Sequence, residues 1–418
     1  MPSPEFVSPV PLDDARDWLN TLAATFLDNP YDDKFDKWAR RVQRTWQPER
    51  TWGHRDRGRY VATLATQQRV LTVPGPGTST RDREVDALTG VTVAATHRRR
   101  GLLTAMLGAS LDAARDRGDA VSVLVAAEWP IYGRFGYAAA VDAARFTYHP
   151  RRPNAALPVP PAGSIHRLEA AELGEIAPRV FDAARRLRPG HVDRHAPWWD
   201  RRLGLDGYEM LDEKKPTWYV HEGPDGPDGL LAWTPTRDFD LTQSGAVKVD
   251  EFAAATDAAY RDLWAYLGGL DLVDEIDLDG RPVDEPIRWV LRDGRALVQR
   301  ELYDMLWLRL LDVPAALSAR AYATPGRLVL EVVDEDYGAF AAGRYLLEAD
   351  EADAKCTPTT EPAQLRVRQR ALASAYLGGF RLRSRVVAGE VEELASGALD
   401  RADLMFSTPA APWCQTSF

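Results

Sequence analysis

Cysteine is scarce in this chain: two residues in 418, Cys356 and Cys414, far apart in the sequence. Two thiols exclude a disulfide framework and a four-thiolate zinc site, and they point to a reducing, cytoplasmic setting. Long apolar runs are missing too. No stretch reaches the roughly 18 uninterrupted apolar residues of a membrane-crossing helix, so no membrane partner is expected. The opening MPSPEFVSPVPLDDARDW has no basic start followed by an apolar run, so no secretory leader is expected. Positive charge is in deficit: 52 Lys and Arg against 62 Asp and Glu leave a net charge of −10. Such a surface repels nucleic acid, and no nucleic-acid partner is expected. What remains is 45% hydrophobic and 27% charged, the composition of a globular protein. The length exceeds one ordinary core and implies roughly two to four domains.

The clearest boundary is PRRPNAALPVPPAG, Pro150 to Gly163, where five prolines in fourteen residues exclude a helix or a central strand. Before it lie a helical start (Asp13 to Phe26), strand-like runs (RYVATLATQQRVLTVPG, DALTGVTVAAT), a basic segment and the strand AVSVLVAAE. After it come a tryptophan-bearing helical stretch (HAPWWDRRLG) and a hairpin centred on GPDGPDG. The segment GAVKVDEFAAATDAAYRDLWAYLGGLD then runs from strand to helix, which echoes the first unit. A third unit is expected from about Leu302, with strands RLVLEVVD and GRYLLEAD and two later helices. The chain ends TPAAPWCQTSF, and its aromatic residues favour burial over a loose tail.

Against the acidic background stands THRRRGLLTAM, which places Arg98, Arg99, Arg100 and Gly101 between the strand Val91, Thr92, Val93 and a helix. From Leu103, apolar residues recur at Leu107, Leu111 and Ala114, so the arginines sit at a helix amino-terminus. Unpaired amides and the helix dipole favour an anion there, and glycine admits its close approach. Neither GxGxxG nor GxxxxGK[ST] is present, and alone the cluster also fits a solvated basic turn. About thirty residues on, directly after AVSVLVAAE, comes AAEWPIYGRFGYAAA with Tyr132 and the pair Gly136-Tyr137.

Together these motifs resemble the GNAT superfamily of N-acetyltransferases. Arg98 and Gly101 match its pyrophosphate loop, with Leu103 replacing the small residue usual there, and Tyr132 matches its general acid. THRRRGLL, IYGRFGY, LRLLDVPAAL, KCTPT and the aromatic chain end narrow the likeness. The whole chain resembles the Eis (enhanced intracellular survival) acetyltransferases of actinobacteria.

That resemblance implies an α+β fold with α/β layering. A catalytic GNAT domain is expected over 1–150, a degenerate GNAT-like domain over 164–300 and a sterol-carrier-protein-like domain over 301–418. It implies acetyl-CoA as co-substrate, no metal, a small-molecule amine acceptor (an aminoglycoside or a lysine-type amine) and a homo-hexamer. By the same resemblance Tyr132 is the general acid and the α-carboxylate of Phe418 the general base. The backbone of Val91, Thr92 and Val93 would hold the pantetheine arm. Arg98, Arg99, Arg100, Gly101, Leu102, Leu103 and Thr104 would hold the pyrophosphate, with a further cofactor contact at Ala127 and Glu128. Asp28, Phe26 and Trp38 would line an acidic, aromatic acceptor pocket. Ser417 and Trp129-Pro130 depart from the family pattern and leave regioselectivity open.

The second strand-to-helix junction has no arginines or glycine, and Asp250 and Glu251 are expected where a phosphate would approach. That unit is therefore expected to be scaffold. His191 and His195 in HVDRH have i, i+4 spacing, but Gly190 and Pro197 bracket them and no further ligands are near, so no metal is expected. The competing reading of the chain is a non-catalytic acyl-CoA or lipid-binding protein.

Overall fold

The computed structural model describes residues 3–29, 33–152, 160–205, 215–239 and 242–418. Half of the proline-rich segment between Pro150 and Gly163, residues 153–159, lies outside these.

The first unit runs β1 (Glu5–Val7), α1 (Ala15–Thr25), α2 (Asp33–Arg44), β2 (Thr51–Asp56), β3 (Arg59–Pro74) and β4 (Thr80–Val93). It continues with α3 (Leu102–Asp116), β5 (Val121–Leu124), α4 (Trp129–Tyr132) and β6 (Ala138–Tyr148). The second runs β7 (Ser164–Leu168), α5 (Ala170–Arg185), α6 (Ala196–Leu203), β8 (Thr217–Gly223), β9 (Gly226–Arg237) and β10 (Gly245–Ala254). α7 (Asp257–Gly268), β11 (Val273–Arg281), α8 (Ile287–Val290) and β12 (Leu297–Leu310) complete it. The third comprises α9 (Val313–Ala319), β13 (Gly326–Val333), β14 (Gly343–Ala349), β15 (Ala354–Pro358), β16 (Leu365–Arg368), α10 (Gln369–Ala375), β17 (Val391–Glu393) and α11 (Ala398–Phe406).

Twelve strands form one sheet in the order β1-β2-β3-β4-β5-β12-β6-β11-β10-β9-β8-β7. The order is nearly palindromic, because each unit contributes six strands and the two units exchange their last. β12 enters between β5 and β6, while β6 lies between β12 and β11. The apolar run at Leu302 therefore belongs to this large sheet up to Leu310, and helix α9 follows it. Leu306, Trp307, Leu308 and Leu310 are buried, which ties β12 into the sheet interior.

Side chains alternate across this sheet as strand geometry requires. Ala87, Val123, Leu306 and Leu308 face a core shared with the third unit and its five-stranded sheet, ordered β15-β14-β13-β16-β17. Leu88, Leu124, Ala139 and Trp307 face the opposite core, where Leu102, Met106, Leu107, Leu111 and Ala114 of α3 pack at helical spacing. No helix among the described residues is long and apolar enough to cross a membrane.

Asp250 and Glu251 lie within β10, and Glu251 is buried against Arg194 at 2.9 Å and does not face an approaching anion. A bulge interrupts the pairing with β9 between Val249 and Glu251, and the strand runs on to Ala254.

Candidate active site

β4 and β5 run parallel but pair only from Asp86 to Leu88 and from Ser122 to Leu124. Beyond Leu88, β4 carries one residue more than β3 opposite it. Gly90 sits in this bulge at φ 61°, a left-handed conformation, and a Cβ there would lie 3.0 Å from the Trp18 ring. Only glycine meets both conditions without strain. The bulge bends the strand. Thr92 and Val93 stay paired to β3, while β5 ends at Leu124, and a gap opens through the sheet.

The side chains of Val91, Val93, Leu103 and Ala126 line one side of this gap, together with buried Tyr132. Ala127 and Glu128 follow on the exposed turn beyond β5. α3 opens at the gap's mouth. Gly101 precedes it at φ 79° and no side chain caps it, so the first amides, from Leu102, Leu103 and Thr104, have no intrahelical acceptor. Arg98, Arg99 and Arg100 are exposed beside them and form no ion pair among the described residues. Bare amides and three unpaired guanidinium groups at one helix start suit a diphosphate.

Tyr132 is the last residue of α4 and reaches back into the gap. Burial raises its phenol to about 12, with Glu128 a lesser cause, so the ring stays protonated near neutrality. Its hydroxyl has no hydrogen-bond partner among the described residues. The turn after it is pinned from β12: the Arg309 guanidinium donates to the carbonyls of Phe135 and Tyr337. Gly136 at φ 82° leaves room for Arg309, whose Nε would lie 3.1 Å from a Cβ there.

On the other face of the sheet, a cleft of about 1740 Å³ separates the two units. Thr89 and Gly90 form its wall at the bulge, and Trp38, Ser417 and Phe418 also line it. Phe418 packs partly buried against the core shared with the third unit. Tyr132 and Phe418 thus approach from opposite faces of the sheet, with the gap between them. Phe26 and Asp28 do not join this site. α1 ends at Thr25, Leu27 adopts φ 67°, and the chain turns outward with Phe26, Leu27 and Asp28 exposed.

The second unit repeats the architecture with its slot closed. β10 and β11 are parallel, and β10 has its own bulge at Asp250. Thr256 caps α7, its hydroxyl accepting the Ala259 amide at 3.0 Å, which consumes a donor that an anion would need. The chain's last residues lie across the separated strand ends. The Trp413 indole donates to the Gly280 carbonyl at 2.7 Å, and the Gln415 amide donates to the Phe252 carbonyl at 2.9 Å. Cys414 and Thr416 are buried beneath.

His191 and His195 do not come together as a ligand pair. His191 is buried against the Trp413 ring, and His195 caps α6. No group of three or more metal-ligating side chains occurs among the described residues. Arg309 was not singled out from the sequence, although an arginine inside the run MLWLRLL is a visible anomaly.

A parallel strand pair that splays at a bulge, with an uncapped basic helix start on one side and a buried phenol in the opening, defines a GNAT acetyltransferase. Models of the GNAT acetyltransferase domain match residues 7–140 and 190–310, and one of the sterol carrier protein domain matches 313–415. The chain is a tandem GNAT protein with a carboxy-terminal sterol-carrier-like domain, and its co-substrate is an acyl-CoA. It is 38% identical over 384 residues to an uncharacterized N-acetyltransferase of Streptomyces griseus, covering 88% of this chain and 89% of that one. It is 33% identical over 360 residues to N-acetyltransferase Eis of Mycobacterium tuberculosis, covering 83% of each. The crystal structure of Eis1 from Mycobacterium abscessus superposes with a TM-score of 0.84 at 30% identity, over 99% of this chain and all of that one. The chain belongs to the Eis family of N-acetyltransferases.

Proposed function

We propose that this enzyme transfers acetyl from acetyl-CoA to a primary amine, of lysine type or aminoglycoside-like, by direct attack. The α-carboxylate of Phe418 takes a proton from the ammonium that enters through the cleft. The amine nitrogen then bonds to the thioester carbonyl carbon. The C–S bond breaks, and the departing sulfur takes the Tyr132 proton. The second proton, shed by the nitrogen as it becomes an amide, returns through water to the Tyr132 phenolate, while the Phe418 carboxylate releases its proton to solvent. A phenol raised to about 12 is a weak acid. A thiolate expelled into the same apolar gap is desolvated as well, which raises its own proton affinity and makes the transfer feasible. No thiol competes as a covalent carrier: Cys356 and Cys414 are buried, and burial raises both.

The observation that carries this reading is Tyr132, its ring buried where β4 leaves β5 and its hydroxyl without a hydrogen-bond partner among the described residues. The test is thiol release from acetyl-CoA with a panel of primary amines. Tyr132→Phe and deletion of Phe418 are each expected to lower kcat on the order of 10²-fold with the melting temperature unchanged. Turnover that survives both changes within a factor of two overturns the assignment.

A further inference from the structure

Among the described residues, seven Arg and Lys side chains line the cleft, with three carboxylate side chains and the chain terminus. Those three carboxylates are occupied. Asp193 accepts the Val70 amide at 2.8 Å, Asp250 accepts the Thr234 hydroxyl at 2.6 Å, and Glu169 faces Arg167 at 3.6 Å.

Arg69 is the sharpest case. It is 6% exposed, lines the cleft, and forms no ion pair among the described residues. Its guanidinium donates to the Gln67 side chain and to His195 Nε2, and its buried Nε has no partner. Among the described residues, Asp193 is the one carboxylate that acts on this charge, without contacting it, and burial outweighs it. His195 sharpens the imbalance. Arg69 meets its Nε2 at 2.9 Å, and the Trp198 amide meets its Nδ1 at 3.2 Å. A neutral imidazole accepts at one nitrogen only, so two donors face a ring with one lone pair to offer. Burial first, and the Arg69 charge second, hold His195 below its usual value and keep it neutral.

We propose that Arg69 and His195 form a subsite for a carboxylate carried by the acceptor amine itself, so that the substrate is an amino acid or a peptide-like amine rather than a pure polycation. A carboxylate set between them resolves both defects. It takes N–H donors from Arg69, and it lets His195 adopt the tautomer that donates from Nε2 and accepts the Trp198 amide at Nδ1. The inference rests on the acetyl-transfer reading of this cleft, and it specifies which amines fit.

The test pairs ω-aminocarboxylates of four to eight carbons with the alkylamines of equal length. Each is assayed for thiol release from acetyl-CoA and titrated by calorimetry into the intact protein, Arg69→Gln and Arg69→Lys. At one chain length or more, the aminocarboxylate is expected to exceed its alkylamine at least tenfold in kcat/KM. Arg69→Gln should bring that ratio close to one and Arg69→Lys restore part of it. Deletion of Phe418 should slow both series alike and leave the ratio standing. An equal loss for both series in Arg69→Gln overturns the subsite and makes Arg69 the holder of the terminal carboxylate. Equal binding of the two series to the intact protein overturns it regardless of turnover. Failure of every amine in a broad panel to release thiol is a separate result, and it counts against the acetyl-transfer reading instead.

Discussion

Arg309 shows how a single side chain can govern a reaction it does not touch. It is fully buried, and it holds two backbone carbonyls that close the turn after Tyr132. Arg309→Leu preserves bulk but leaves both carbonyls without that donor, at about 1–3 kcal/mol each. The expected outcome is a lower denaturant midpoint together with a kcat loss larger than any change in KM for acetyl-CoA, because the phenol loses its aim while the diphosphate site is untouched. A KM change alone would remove Arg309 from the positioning of Tyr132. At this scale, local chemistry was legible. Gly101, the arginines and Tyr132 could be found because their spacing within one strand-to-helix segment is itself the signal. Arg69 could not be read as a buried cation in contact with His195, because that contact spans more than a hundred residues of sequence. The exposure of Phe26 and Asp28 was not legible for a similar reason: a left-handed Leu27 decides which way the chain leaves α1, and leucine gives no hint of it.

Elements carry the next set of consequences. The start of α3 requires φ 79° at Gly101, and nothing lies within 4 Å of a Cβ built there. Gly101→Ala is therefore opposed by backbone conformation alone, at about 1 kcal/mol. It should raise KM for acetyl-CoA more than it lowers kcat, as steady-state kinetics would measure. In the sheet, Asp142 of β6 stands directly opposite Asp304 of β12. Burial, and then the Asp304 charge, push Asp142 up to about 6. An acid raised in the folded state disfavours folding once it ionises, so the cost is absent below about pH 4 and complete above about pH 6. Asp142→Asn should stabilise the fold at pH 7.5 by on the order of 1 kcal/mol after solvent screening, raising the melting temperature, and should change it little at pH 4. Thermal unfolding at the two pH values checks this, and an equal shift at both would contradict it. Most elements were legible from periodicity, including the β8–β9 hairpin, β13, β14 and α3. β10 was legible as a strand through Asp250 and Glu251, but its bulge between Val249 and Glu251 was not, because a bulge leaves no mark in the hydrophobic pattern.

For the whole molecule, the decisive feature is the exchange of β6 and β12. It pairs residues 138–148 with 276–281 on one side and 297–308 on the other. No local pattern encodes a pairing across more than a hundred residues, so the sequence-based expectation of separable units along the chain missed it. A fragment of residues 1–150 lacks the strand that lies between β5 and β6 and should show no cooperative unfolding. Adding a separately made fragment of residues 160–418 should restore a transition. Calorimetry of the fragments, alone and mixed, measures this. The exchange also bears on how such a protein can change over time. The second copy has its helix start capped by Thr256 and the ends of its parallel strands crossed by Trp413 and Gln415. It also lends the first copy an interior strand. Genetic loss of either half would dismantle the sheet of the other, so a duplication of this design, once its strands have crossed, is irreversible.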